Sequence, residues 1–388
     1  MRVLVTALVS SHLVPMVPLT WALRAAGHQV LVAGDAELVG FAAAAGLDTR
    51  LVGGGETRQR LTRPGAVAMP DRAGMERRAD SEWDAVGERW RTRLGGYLDD
   101  LVRLGRDWEP DLVITDPVEF GGLAVAGVLG VPGIVHRWGP DDFTSPLLSR
   151  AKEQLHELCT GYGAEGFPDP ALLIDPSPAS LLPGGDNTPG LLSRYVPYCG
   201  TTELPDWAVT RPARPRALMC LGMWHGRVLA DTGELPLGFR HVLDACTAQG
   251  LDVLFPIDAK YHAALDGIPS SVQVVDRFPI GPLMRHTSAV VHHGGSGTSM
   301  TAFASAVPQL VLPGDKPFLR TTGRLVQESK SGLCLADEAE QHDPRAVGDA
   351  LAALLGDDRH AQAAREIRTE IEDLPGPTEL VPILEGLI

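Results

Sequence analysis

Apolar residues fall along this chain in two alternating rhythms. Short unbroken runs of Val, Leu and Ile are separated by longer stretches in which apolar positions recur every three or four residues. The first pattern marks strands buried on both faces, the second amphipathic helices packed over them. The chain opens on the strand VLVTALV from Val3, passes through the loop SSHLVPM and predicts a helix through Leu19–Ala26, which Gly27 ends. QVLVA (Gln29–Ala33) follows as a second strand, so the opening forms a right-handed βαβ unit. A further helix is predicted over Glu37–Ala45, with Gly46 as its stop signal. After a charged helix over Glu82–Leu104, the strand DLVIT runs into Asp116. GGLAVAGVLG then reads as a helix and GIVH (Gly133–His136) as the next strand.

The rhythm breaks twice. Residues 53–80 are rich in Gly and Arg with little periodicity, which predicts a long loop of the kind that serves as a lid or an acceptor-binding segment. Between Tyr195 and Pro215 the text YVPYCGTTELPDWAVTRPARP carries four prolines and few periodic apolar residues, the mark of a linker. Beyond it the α/β pattern restarts with strands over Ala217–Leu221, Asp252–Pro256, Val272–Asp276, Ala289–His293 and Gln309–Pro313. Helices over Arg345–Leu355 and Ala361–Asp373 close this part. The expected organisation is a first domain over 1–200, a linker over 201–215, a second domain over 216–372 and a C-terminal segment over 373–388. Both domains are α/β, doubly wound and Rossmann-like, and face each other across a cleft.

Composition narrows the partners. With 388 residues, 44% of them hydrophobic, the chain can bury two ordinary cores. Its net charge of −15 argues against nucleic acid or an anionic membrane as the main partner. The same charge means that any phosphate ligand needs dedicated donors, because the global field repels it. Five scattered cysteines without a CxxC pair point to a reducing, cytoplasmic setting with no disulfide frame or zinc knuckle. The uncharged stretch Val3–Leu23 behind Arg2 resembles a signal peptide. However, His12, Pro15 and Pro18 interrupt it, and no stretch reaches the length of a membrane span.

Two constellations carry candidate chemistry. His12 follows the first strand and Asp116 follows DLVIT, so in a parallel sheet both lie at the carboxyl edge, where ligands bind. A carboxylate holding one imidazole nitrogen leaves the other to take a proton from an acceptor hydroxyl. From spacing alone, a plain loop histidine and a turn aspartate remain the competing reading. The second constellation is AVVHHGGSGT (Ala289–Thr298), a buried strand running into two histidines, a glycine turn and a helix opening near Thr298. Free amides and the positive helix end suit a diphosphate, and His292 or His293 can donate to the same oxygens. The turn lacks the third glycine of the dinucleotide fingerprint and the GK[ST] of a Walker loop, and position 298 breaks the GxSxG pattern. No DxD triplet and no HEXXH occur, so no metal site is expected.

These residues together resemble the GT-B natural-product glycosyltransferases that attach deoxysugars to polyketides such as macrolides and anthracyclines. The resemblance runs through MRVLVTALVSSHLVPMVPLTWALRAAGHQV, VPGIVHRWG, DPSPASL, RYVPYCG and VVHHGGSGTSMTAFASAVPQLVLP, nearly the whole chain. It implies the GT-B fold and a metal-independent, inverting transfer, in a single displacement, from a dTDP- or UDP-sugar to a hydrophobic small molecule, with no cofactor. It also implies His12 as base and Asp116 as its orienting acid. On the donor side it places His292, His293, Gly294, Gly295, Ser296, Gly297 and Thr298 at the diphosphate, Gly222 on another phosphate-side loop and Phe278 at the nucleobase. Trp138 falls where the acceptor pocket is expected, and the last helix, over Thr378–Leu387, is expected to return to the first domain. One departure stands out. The family's Asp-Gln pair for sugar hydroxyls is here Asp315 followed by Lys316, placed closer to the preceding Leu-Pro. That departure supports the alternative of a catalytically silent homologue that binds a polyketide or partner enzyme. A sugar-nucleotide epimerase would share the architecture but needs further cleft carboxylates. A homodimer is left open.

Overall fold

The computed structural model describes residues 1–53, 75, 77–78, 80–184, 190–222, 235, 237–265, 267–276 and 279–388. The chain divides into two compact units, Met1–Tyr198 with Leu374–Ile388, and Cys199–Asp373. Each is built on one parallel sheet.

In the first unit the strands are β1 (Arg2–Thr6), β2 (Gln29–Gly34), β3 (Asp48–Leu51), β4 (Leu112–Thr115), β5 (Gly133–His136), β6 (Leu172–Asp175) and β7 (Leu191–Leu192). Their spatial order is β3-β2-β1-β4-β5-β6-β7, with the chain reversing direction across the sheet between β1 and β4. Alternation across the pleat divides the core. Leu4 and Val113 pack on one face with the helices Asp80–Gly95 and Leu98–Trp108. Val3, Val5, Leu112 and Ile114 pack on the other with Leu19 and Leu23. The closing helix Pro377–Glu385 adds Leu380, Val381 and Leu384 to that second face. Arg194 ties it down, its amide donating to the Pro375 carbonyl at 2.8 Å and its Nε to that of Leu374 at 3.1 Å.

In the second unit the strands are β8 (Arg216–Cys220), β9 (Asp252–Pro256), β10 (Val272–Val275), β11 (Ala289–His292), β12 (Gln309–Val311) and β13 (Gly332–Cys334). Their spatial order is β10-β9-β8-β11-β12-β13. The same pleat logic separates Ala217, Met219 and Val291 on one face from Leu218, Cys220 and Val290 on the other.

The structure departs from the sequence expectations in three places. His12 sits on a short helix, Ser10–Leu13, which runs through a 3-10 turn into the helix Val17–Ala25. Pro15 and Pro18 fit there because the first turn of a helix needs no amide hydrogen from them. The single helix expected over Glu82–Leu104 is two, Asp80–Gly95 and Leu98–Trp108, broken at Gly96–Tyr97. The helix after His293 begins at Ser296, with Gly295 as its N-cap, earlier than Thr298. The long loop predicted over 53–80 lies for the most part outside the described residues.

Candidate active site

β1 and β4 are adjacent and in register, with Thr6 opposite Thr115 and their hydroxyls 3.1 Å apart. The loops that follow therefore leave the sheet side by side. Asp116 is buried at the head of its loop. One carboxylate oxygen, Oδ1, accepts the amides of Val118 at 2.8 Å and Glu119 at 3.2 Å. The other, Oδ2, accepts the Leu8 amide at 2.7 Å and lies 3.1 Å from Nδ1 of His12. Burial alone would raise this carboxyl, but the charge and hydrogen bond of His12 and the Leu8 and Val118 amides outweigh it and hold it below the usual range. An ionised Oδ2 can only accept, so Nδ1 carries the hydrogen of this contact, and whenever the ring is neutral the lone pair is therefore on Nε2. The His12 side chain is 21% exposed while that of Asp116 is 0% exposed. Solvent and ligand can reach the ring but not its partner.

Beside this pair, β5 leads into Trp138, whose ring centroid lies 4.0 Å from that of His12 at an interplanar angle of 35°. The Phe143 ring centroid stands 5.8 Å from that of Trp138. Beneath the loop after β4, Glu119 accepts the Tyr97 hydroxyl and the Gly121 amide at 2.8 Å. Burial pushes both Glu119 and Tyr97 above their ordinary values. No spacing motif announced Glu119 or Tyr97.

In the second unit, His292 ends β11 opposite Cys220 of β8, so the loop carrying Gly222 lies beside the glycine turn. The two histidines behave differently. His292 is 0% exposed, its Nε2 pairs with Gln309 Oε1 at 2.9 Å, and its Nδ1 accepts the Gly294 amide at 3.1 Å. Ser299 donates to the same Gln309 oxygen at 2.7 Å. Burial pulls His292 down to about 4, against the opposing effect of the Gln309 hydrogen bond, so the ring is neutral near pH 7. With both nitrogens engaged inside the fold, His292 has no hydrogen to offer a phosphate. Of the two alternatives, His292 or His293 as phosphate donor, this geometry leaves the His292 ring framing the turn. His293 faces the other way, as alternate residues at a strand end do. Its imidazole lies against Gly222 and Gly295. A Cβ on Gly222 would come within 2.0 Å of that ring, and one on Gly295 within 2.6 Å. Gly222 and Gly294 also adopt φ of +66° and +96°, the left-handed region that favours glycine. Ser296, Gly297 and Thr298 form the first turn of the helix Ser296–Ala304, whose leading amides have no helical acceptor.

Lys316 Nζ pairs with Asp315 Oδ1 at 2.8 Å, both side chains more than one third exposed, just before the helix Pro317–Glu328. Phe278 lies outside the described residues. Among the described residues, no three His, Cys, Asp or Glu side chains cluster as a metal site, and no helix is long and apolar enough to cross a membrane.

The chain matches two family models, the N-terminal domain of erythromycin biosynthesis protein CIII-like proteins over residues 21–222 and their C-terminal domain over 240–387. It is 35% identical to the L-demethylnoviosyl transferase of Streptomyces niveus, over 100% of this chain and 97% of that one. It is 34% identical to the 10-deoxymethynolide desosaminyltransferase of Streptomyces venezuelae, again over 100% and 97%. Among solved structures, it superposes on the spinosyn rhamnosyltransferase SpnG with a TM-score of 0.85 at 33% identity, covering 99% of this chain and 100% of that one. SpnG has also been solved with thymidine diphosphate and with spinosyn aglycone.

Proposed function

The chain belongs to the erythromycin biosynthesis protein CIII-like family of GT-B glycosyltransferases, and from that premise we propose the reaction it performs. It moves a deoxysugar from a dTDP- or UDP-sugar to a hydrophobic, polyketide-type acceptor, inverts the anomeric centre and uses no metal ion. The observation that carries this reading is the accessible His12 held by a buried, ionised Asp116 at 3.1 Å.

His12 Nε2 takes the proton of the acceptor hydroxyl, whose oxygen attacks the anomeric carbon. The bond from that carbon to the phosphate oxygen breaks, and its electron pair leaves with the nucleoside diphosphate. Asp116 stays ionised and stabilises the imidazolium that forms. On the donor side, the amides of Ser296, Gly297 and Thr298 and the imidazole of His293 meet the developing diphosphate charge. Gly222, Gly294 and Gly295 allow close approach of the backbone. Trp138 walls the acceptor, Phe278 meets the nucleobase, and Asp315 and Lys316 lie at the sugar end. Residues 1–200 with 373–388 bind the acceptor, 216–372 bind the donor, and 201–215 join them in a cytoplasmic enzyme. The thymidine diphosphate bound by SpnG favours the dTDP form of the donor.

The test is transfer assayed with dTDP- and UDP-deoxysugars and a panel of macrolide and anthracycline aglycones, with and without excess EDTA. Product formation that EDTA leaves unchanged is the expected result. No product from any pair in folded protein that binds dTDP would favour a silent homologue, and activity restored only by Mg²⁺ would overturn the metal-free mechanism.

A further inference from the structure

A single hydrogen bond on an imidazole tethered through its Cβ still lets the ring rock within the distance and angle that the bond tolerates. The Nδ1 contact to Asp116 therefore does not by itself aim Nε2 of His12. The neighbour lying against the ring is Trp138, at 4.0 Å, and Trp138 is carried by an irregular loop between β5 and the helix Thr144–Gly161. That loop has a built anchor. Arg137, immediately before Trp138, is 0% exposed. Its Nη1 donates to Asp175 Oδ2 at 2.8 Å, its Nε lies 3.3 Å from Asp141 Oδ2, and its amide donates to the Ile174 carbonyl at 2.9 Å. Asp141 in turn accepts the amides of Phe143 at 3.1 Å and Thr144 at 2.7 Å, and the Thr144 hydroxyl at 2.7 Å. The loop is thus tied to the end of β6 at its start and to the opening of the next helix at its finish. Phe143, at that end of the loop, packs on Trp138 with ring centroids 5.8 Å apart.

Such a cluster is an uneconomical source of stability. Taking a guanidinium and two carboxylates out of water is costly, and well-packed apolar side chains of similar volume serve stability as well or better. Burial pushes Asp141 up to about 6 and raises Asp175 as well, against the pull of Arg137. What the paired members of a buried ion cluster supply is geometry, because each accepts few alternative positions. We propose that Arg137, Asp141 and Asp175 form a positioning cluster that holds Trp138 against the imidazole of His12, at the observed tilt, and thereby aims the nitrogen that takes the proton. The inference rests on His12 as the base.

The experiment is a double-mutant cycle of Asp175→Asn with Trp138→Leu, joined to NMR of the His12 ring protons without substrate. Asp175→Asn keeps the side chain's shape and removes its charge. It is expected to lower kcat roughly 10- to 100-fold, the scale of a misaimed catalytic group, with the dTDP affinity unchanged. In the Trp138→Leu background the same substitution is expected to add almost nothing, because the cluster acts through the indole. Trp138→Phe, which keeps an aromatic face, is expected to recover most of the rate. In the NMR, the indole shifts the His12 ring protons upfield in the wild-type protein, and Asp175→Asn relaxes that shift. Fully additive losses in the cycle, or an unmoved ring shift in a folded variant, would overturn the proposal. The ring shift is read without turnover, so it separates this inference from the base assignment, which fails if His12→Ala keeps the wild-type rate. Where Asp175→Asn does not fold, Asp141→Asn carries the same test.

Discussion

His12 and His292 each stand near the carboxyl end of a central parallel strand, in corresponding places of two similar sheets. They differ in what holds them. His12 is held by a buried carboxylate and keeps one face within reach of solvent, whereas His292 is sealed among neutral groups, with a glutamine amide on one nitrogen and a backbone amide on the other. A buried anion stabilises the protonated ring and so equips it to take a proton. An amide partner in a dry pocket keeps the ring neutral and leaves it only a structural use. The partner, more than the motif, decides what a strand-end histidine does.

The largest effect that separates the two is on rate. His12→Ala is expected to lower kcat by roughly 10²- to 10⁴-fold, the range for removing a positioned base. Asp116→Asn should fall in the same range because it leaves the ring in place without its anion. Initial rates at saturating donor check this, and a loss under about 3-fold in either variant would erase the contrast on the catalytic side.

Next comes acid stability. His292 titrates at about 4 when folded and at about 6.5 when unfolded, so between those values the unfolded chain binds a proton that the folded ring refuses. Stability is therefore lost as pH falls through that window, by about 3 kcal/mol. In the first unit, burial likewise holds His136 down to about 4. Asp141, pushed up to about 6 by burial, does the reverse, because the folded state takes its proton first and gains as pH falls. The second unit should then open first at pH 4.5. Hydrogen exchange followed by mass spectrometry at pH 7 and pH 4.5 reads this directly, and simultaneous loss of protection in both units would contradict it.

The smallest effect belongs to Lys316. Its exposed pair with Asp315 predicts that Lys316→Gln alters thermal stability by less than about 0.5 kcal/mol. A larger loss in a melting experiment would show that the pair is part of the framework.

What could be read in the chain followed from how much each segment buries. β1, β4 and β11 are almost wholly buried apolar runs, and they stood out. β3 (DTRL) is mostly exposed at the sheet edge, β7 has 2 residues and β13 has 3, too little pattern to register. The neighbourhood of His12 and Asp116 was legible because parallel topology alone brings their loops to one edge. The Arg137–Asp175 pair was not, since its members lie 38 positions apart with no spacing rule joining them. Nor could His292 be told from His293, because which of two adjacent residues faces inward depends on the packed sheet. The Gly95–Gly96 pair at the helix break is a turn signal that was open to view.

The division of labour between the two histidine sites is tested most directly by calorimetric titration of dTDP into His12→Ala and His293→Ala side by side. The account predicts that His12→Ala binds as tightly as the wild-type protein. His293→Ala should bind about 10-fold more weakly, the scale of one lost charge-assisted hydrogen bond. Wild-type affinity in His293→Ala, or a matching loss in His12→Ala, would contradict it.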